Sequence, residues 1–172
     1  KLSTSGTYLT AVGAGALDTN TTGAFNTSVG AVSMDANTTG SYNTALGAAA
    51  LDANTTADSN TALGAYALST STTGASNVAV GRNALNSLTT AAENVAVGTS
   101  ALATNQTAIR NVAVGHEALN ASTTGYNNTC VGYTAGKAIT EGYQNTFIGD
   151  RCGKAITTAD NNTAVGQNAL KA

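Results

Sequence analysis

The sequence predicts an all-β fold, a parallel β-solenoid of ten coils with 17 residues in each. Three observations lead there. Glycine recurs at 13, 30, 47, 64, 81, 98, 115, 132, 149 and 166, and the interval never changes. The residue before each of these glycines is Val, Leu or Ile. Gly, Asn and Thr dominate where a helix needs Ala, Leu, Glu and Lys, and the interval fits no helical repeat. Loops of a globular enzyme tolerate changes in length, whereas stacked coils must stay in register.

Numbering each coil from its glycine as position 0, the elements follow in order. Position −4 is Asn in every coil after the first, which has Leu9, and Thr-Ala-Val or a close variant follows, as in Asn43-Thr44-Ala45-Leu46. This run reads as a short strand of β-formers. The glycine is a corner that requires positive φ or close backbone approach. Position +3 is small, usually Ala (Ala50, Ala67, Ala84), and Leu or Met usually follows, a second inward-facing piece. The Thr-Thr tract at 38–39, 55–56 and 72–73 reads as a third short strand, and the next Gly or Ala as a second corner. Coils rise by about 4.8 Å each, so ten make a rod on the order of 48 Å long. Its expected core is a thin column of Val, Leu and Ala, small because opposite walls are close. Gly136 and Gly153 replace the usual Leu, while Ile139, Ile156 and Phe147 appear nearby. Apolar volume has been moved rather than lost, as a close-packed interior requires.

Stacking turns columns into ladders. Asn26, Asn43, Asn60, Asn77, Asn94, Asn111, Asn128, Asn145 and Asn162 can bond amide to amide along the axis, or each can serve a turn. Position +5 carries Asp18, Asp35 and Asp52 at one end and Lys137, Lys154 and Lys171 at the other. Residues 3–172 make ten whole periods in a single domain without a linker, and Ser3 of a second copy would continue the coil that Ala172 leaves. Asp18 and Asp35 against Lys154 and Lys171 are the expected assembly ends of a head-to-tail filament, since a heterologous contact that does not close polymerises. Ends cut from a longer fibre are the alternative.

Charged residues are 9% of the chain and the net charge is −2, which gives no electrostatic case for nucleic acid. No apolar run approaches the roughly 18 residues of a membrane span. The chain shows neither an initiating Met nor a leader, so a mature product or an excerpt is expected. Cys130 and Cys152 each replace an Ala in adjacent coils: they are a candidate disulfide, or two thiols in Ala-sized slots. Asn20, Asn37 and Asn54 begin Asn-x-Thr triplets and are candidate glycosylation sites, although an Asn/Thr-rich repeat produces such triplets by composition alone.

The recurring Asn-Val-Ala-Val-Gly (77–81, 94–98, 111–115) resembles the repeat of YadA-like trimeric adhesin heads. The longer pattern over 47–64 and 64–81 resembles repeats of phage tail fibres and related surface proteins. The resemblance implies a left-handed β-roll or β-helix, an extracellular, cell-surface or virion location, and a homotrimer as one form of self-association. The period of 17 is longer than the adhesin-head coil and implies a different cross-section.

No enzyme, cofactor or metal site is expected. His116 has no partner at metal spacing except Glu117, and no Ser/His/Asp constellation can be drawn. Asp18, Asp35 and Asp52 read as a solvated edge rather than a cation ladder. Two binding readings remain beside the structural one. The Thr column 21, 38, 55, 72, 89 could form a flat ice-binding face, and Tyr66, Tyr126, Tyr133 and Tyr143 could stack on surface glycans. The expected function is a structural building block of a fibre, with a receptor- or glycan-binding shaft as the alternative and ice binding behind both.

Overall fold

The computed structural model describes residues 5–171. Among them, ten three-residue strands form one sheet in chain order: β1 (Thr10–Val12), β2 (Thr27–Val29), β3 (Thr44–Leu46), β4 (Thr61–Leu63), β5 (Val78–Val80), β6 (Val95–Val97), β7 (Val112–Val114), β8 (Thr129–Val131), β9 (Thr146–Ile148) and β10 (Thr163–Val165). Neighbours run parallel with identical register, so that Thr10 faces Thr27, Ala62 faces Ala79 and Val165 faces Ile148. The chain is the parallel β-solenoid that its period predicts. The expected join between Ser3 and Ala172 lies outside the described residues.

Each coil holds one strand, not three. The Ala-Leu and Thr-Thr segments are irregular, yet their backbones still bond from coil to coil. Leu51 N–H donates to Ala67 O (3.0 Å), Ala53 N–H to Ser69 O (3.1 Å) and Thr55 N–H to Thr72 O (3.0 Å). Left-handed residues prevent a second strand. Position +4 has φ near +50° at Leu51, Leu68, Leu85, Leu102 and Leu119, and position +2 is left-handed as well, as at Tyr66 and Arg151. A β-strand cannot run through alternating left-handed residues.

The phase of the strand is the reverse of the sequence expectation. The middle residue points inward: Ala45, Ala62, Ala79, Ala96 and Ala113 are fully buried. The residue before the glycine points outward, and Val12, Leu46, Leu63, Ile148 and Val165 are exposed. Period-two alternation explains this once Asn is counted as the first inward residue: Asn in, Thr out, Ala in, Val out. The core is therefore Ala from the strand facing Ala and Leu from the +3 and +4 positions, not the valines.

The transfer of volume in the eighth and ninth coils is visible atom by atom. A Cβ on Gly136 would stand 2.5 Å from Cys130 Sγ and 3.1 Å from Ile139 Cδ1, and one on Gly153 would stand 2.5 Å from Phe147 Cε2. Both glycines also occupy the left-handed +4 position, with φ of 59° and 60°, so the exchange relieves a backbone that Leu otherwise strains. Phe147→Ala is expected to cost about 3–5 kcal/mol through the cavity it leaves. Gly153→Leu alone should overpack by about 1–3 kcal/mol. The double variant restores the usual Ala-and-Leu coil and should recover most of both losses; a double-mutant cycle in urea measures that coupling.

Candidate assembly surfaces

The Asn column closes one corner of every coil. Asn43 N–H donates to Asn26 Oδ1 of the preceding coil (2.9 Å), and Asn43 Nδ2 donates to Ala57 O of the following one (2.8 Å). The pair recurs at Asn60, Asn77, Asn94, Asn111, Asn128 and Asn145. Amide-to-amide bonds add to it in several junctions, including Asn77 to Asn60 (3.3 Å) and Asn162 to Asn145 (3.0 Å). Ladder and turn are thus one device: each residue links three coils, its backbone N–H reaching the coil before and its side chain the coil after. Asn26 through Asn145 are fully buried, so this surface faces neighbouring coils and not solvent.

A second amide column went unread in the sequence. Asn20, Asn37 and Asn54, marked there for glycosylation, are buried. Asn37 Nδ2 donates to Asn20 Oδ1 (2.7 Å) and Asn54 Nδ2 to Asn37 Oδ1 (2.8 Å), and each amide also reaches the carbonyl three residues on. Their nitrogens are inside and engaged, so the folded coil does not present them for a glycan. The ladder stops at Ser71, whose shorter side chain leaves Asn54 Oδ1 without a hydrogen-bond partner among the described residues. The signal was present in the sequence as Asn recurring seven residues after the glycine.

The charged column holds Asp18 exposed, Asp35 and Asp52 half-buried, Lys154 half-buried and Lys171 exposed. Burial, and then the charge of Asp35, raises the Asp52 carboxyl above its ordinary value. A carboxyl raised in the folded state favours folding when protonated. That contribution is complete below about pH 3.8, the unfolded value, and is lost as pH rises through the higher folded value. Asp52→Asn is therefore expected to raise the unfolding midpoint at neutral pH and to lose this advantage as pH falls toward 3.8. Lys137 is held within the molecule by Glu117 (2.7 Å). The Lys137 hydrogen bond, more than any other influence, lowers the Glu117 carboxyl.

The Thr column marked for ice binding is engaged internally: Thr38 Oγ1 donates to Thr55 O (2.9 Å), Thr55 to Thr72 O (3.1 Å) and Thr72 to Thr89 O (3.2 Å). The neighbouring column, including Thr39, Thr56, Thr73 and Thr107, faces solvent. Aromatic rings also stack, because the coil rise of about 4.8 Å suits ring stacking. Tyr8, Phe25 and Tyr42 form one exposed pile with centroids 4.8 and 5.0 Å apart, a feature the sequence reading missed. Tyr126 stacks on Tyr143 (5.1 Å), Tyr133 lies between His116 (5.4 Å) and the Arg151 guanidinium (5.6 Å), and Tyr66 is half-exposed in a different coil. The four tyrosines therefore do not form one patch.

Cys130 and Cys152 are buried free thiols. Burial, and then the neighbouring Cys152, pushes the Cys130 thiol up to about 12; burial also raises Cys152. Among the described residues, no group of three or more His, Cys, Asp and Glu side chains is placed to hold a metal ion. No helix among them is long and apolar enough to cross a membrane. Comparison with protein-family models, curated proteins and solved structures returns no match.

Proposed function

We propose that the chain is a structural building block of an extracellular or virion fibre whose solenoid units stack head to tail. One observation carries the reading: among the described residues, the strand backbones bond from coil to coil in the same way at every junction. Strand entry is made by Thr44 N–H to Asn60 O (2.9 Å), Thr61 N–H to Asn77 O (2.9 Å) and Val78 N–H to Asn94 O (2.8 Å), and strand exit by Gly47 N–H to Val29 O (2.8 Å) and its equivalents. A coil that binds its copy below also binds a copy above. The opposed charges of Asp18 and Asp35 against Lys154 and Lys171 support one polarity of stacking, and the resemblance of the repeats supports the fibre setting.

Sedimentation velocity over a concentration series tests this. Growth at low salt that weakens as salt screens the tips supports it, and a monodisperse monomer at low salt and high concentration overturns it. A Cβ on Gly166 would meet nothing within 4 Å, whereas each earlier period glycine abuts the next coil. Gly166→Ala should therefore block addition at that tip while leaving the fold intact.

The exposed pile of Tyr8, Phe25 and Tyr42 favours a second reading, a glycan-binding shaft. Aromatic faces stack on sugar rings, and a glycan array comparing the parent with Tyr42→Ala tests it. We propose no catalytic role.

A further inference from the structure

Among the described residues, nothing packs on the outward face of the sheet. It is built from the first and third residues of every strand, and none of them is charged. The acids and bases all occupy other columns, such as Asp18, Glu93, Arg110 and Lys154. Along the rod the face is graded. β5, β6 and β7 present Val78 and Val80, Val95 and Val97, and Val112 and Val114. The strands on either side of them, β1 to β4 and β8 to β10, present Thr with Val, Leu or Ile. An apolar centre with a hydroxyl-bearing rim is the anatomy of a protein interface. An ice- or water-ordering plane would carry the same residue in every coil.

We propose that two copies of this chain pair sheet face to sheet face, antiparallel, about a two-fold axis near Val95 and Val97. The lateral contact is additional to head-to-tail stacking, and neither requires the other. The valine centre is symmetric about β6, so this axis lays it on itself and β2–β4 of each copy on β8–β10 of the other, with β1 left over at one end. Charge selects the direction. Residues 5–81 contain Asp18, Asp35, Asp52 and Asp58 and no base, whereas residues 82–171 contain six bases and five acids. Parallel pairing would set the acidic halves side by side; antiparallel pairing sets each against the weakly basic half of its partner. The area suits a reversible contact. Nine strands, β2 to β10, overlap about this axis; at about 4.8 Å spacing and with a face roughly 10 Å wide they offer about 430 Å² per copy. The pair then buries about 860 Å², the size of a weak interface.

The test is sedimentation equilibrium at high salt, where tip-to-tip stacking is screened. The parent should have the mass of a dimer. Val95→Lys should be monomeric. The triple variant Val78→Thr, Val95→Thr, Val112→Thr keeps β-branched side chains and hence the fold, and should dimerise about tenfold more weakly or worse. Thr107→Lys, on the exposed column that already holds Glu141, should dimerise like the parent. A spin label on Thr22→Cys should report its partner's label roughly 40 Å away along the axis, as antiparallel pairing requires. A monomer or a mass above the dimer, indifference to Val95→Lys and the triple variant, or labels in close proximity overturns the proposal. Dimers at high salt without low-salt polymers would sink the fibre reading alone, and polymers at low salt without high-salt dimers would sink this one alone.

Discussion

Asn94→Ala is expected to lower the unfolding free energy by about 2–5 kcal/mol, a large loss for one amide. Asn94 Oδ1 accepts the Asn111 N–H (3.0 Å), and Asn94 Nδ2 donates to Ala108 O (2.9 Å). The side chain is fully buried, so water does not replace it. Truncation leaves the buried Asn111 N–H unpaired, at about 1–3 kcal/mol, and removes the Nδ2 bonds to Asn77 Oδ1, Ala92 O and Ala108 O, at about 0.5–1.5 kcal/mol each, although Asn105 still donates to Ala108 O. Urea unfolding gives the total, and hydrogen exchange at the Asn111 amide should show the break locally. Asn94→Asp separates the two bonds: it keeps the acceptor for Asn111 and loses the donors to Ala108. It should be damaging at neutral pH and partly rescued by acid, since a protonated carboxyl regains one donor.

The same amide explains which parts of the fold were legible. The period, the parallel register and the corner glycines could be read directly, because a fixed interval allows only stacked coils. The direction of the side chains could not. Val before Gly looks like core and Ala between Thr and Val looks like filler, yet Ala62 is buried and Leu63 exposed. Hydrophobicity alone favours the wrong phase; the buried Asn60, two residues earlier, sets the right one. Asn37 hid for a similar reason, since a polar residue in a Thr-rich tract suggests surface until its amide is seen bonded to Asn20. Leu at φ near +50° is a third case. Nothing in Leu68 predicts a left-handed backbone, and only the Gly136 and Gly153 exchanges hinted at it. The candidate surface was obscured in turn: with valines assigned to the core, the outward sheet face had no apolar residues left to notice.

Gly81→Ala, at the middle of the rod, should be among its most disruptive conservative substitutions. Two penalties coincide there. The backbone has φ of +127°, outside the region that L-residues readily adopt, and a Cβ would stand 2.7 Å from both the carbonyl carbon and oxygen of Gly98 and 3.0 Å from Thr99 N. Those neighbours are backbone atoms of the next coil and cannot rotate away. Moving them lengthens the Gly98 N–H to Val80 O bond (2.7 Å) and passes the displacement up the stack. A loss of about 3–5 kcal/mol is expected. Gly166→Ala isolates the conformational part, because Gly166 has nearly the same φ and no neighbour within 4 Å, so it should cost markedly less. Gly74→Ala isolates part of the contact: its φ is ordinary, and Ala57 and Ala91 already stand at the equivalent position. Each coil is stabilised by its neighbours, so a break at Gly81 should also uncouple the two halves of the rod. The parent should melt in one transition and Gly81→Ala in two, seen as a split thermal profile by circular dichroism or calorimetry. A single transition, shifted no further than that of Gly166→Ala, would mean that the close approach of successive glycines does not bind the coils together.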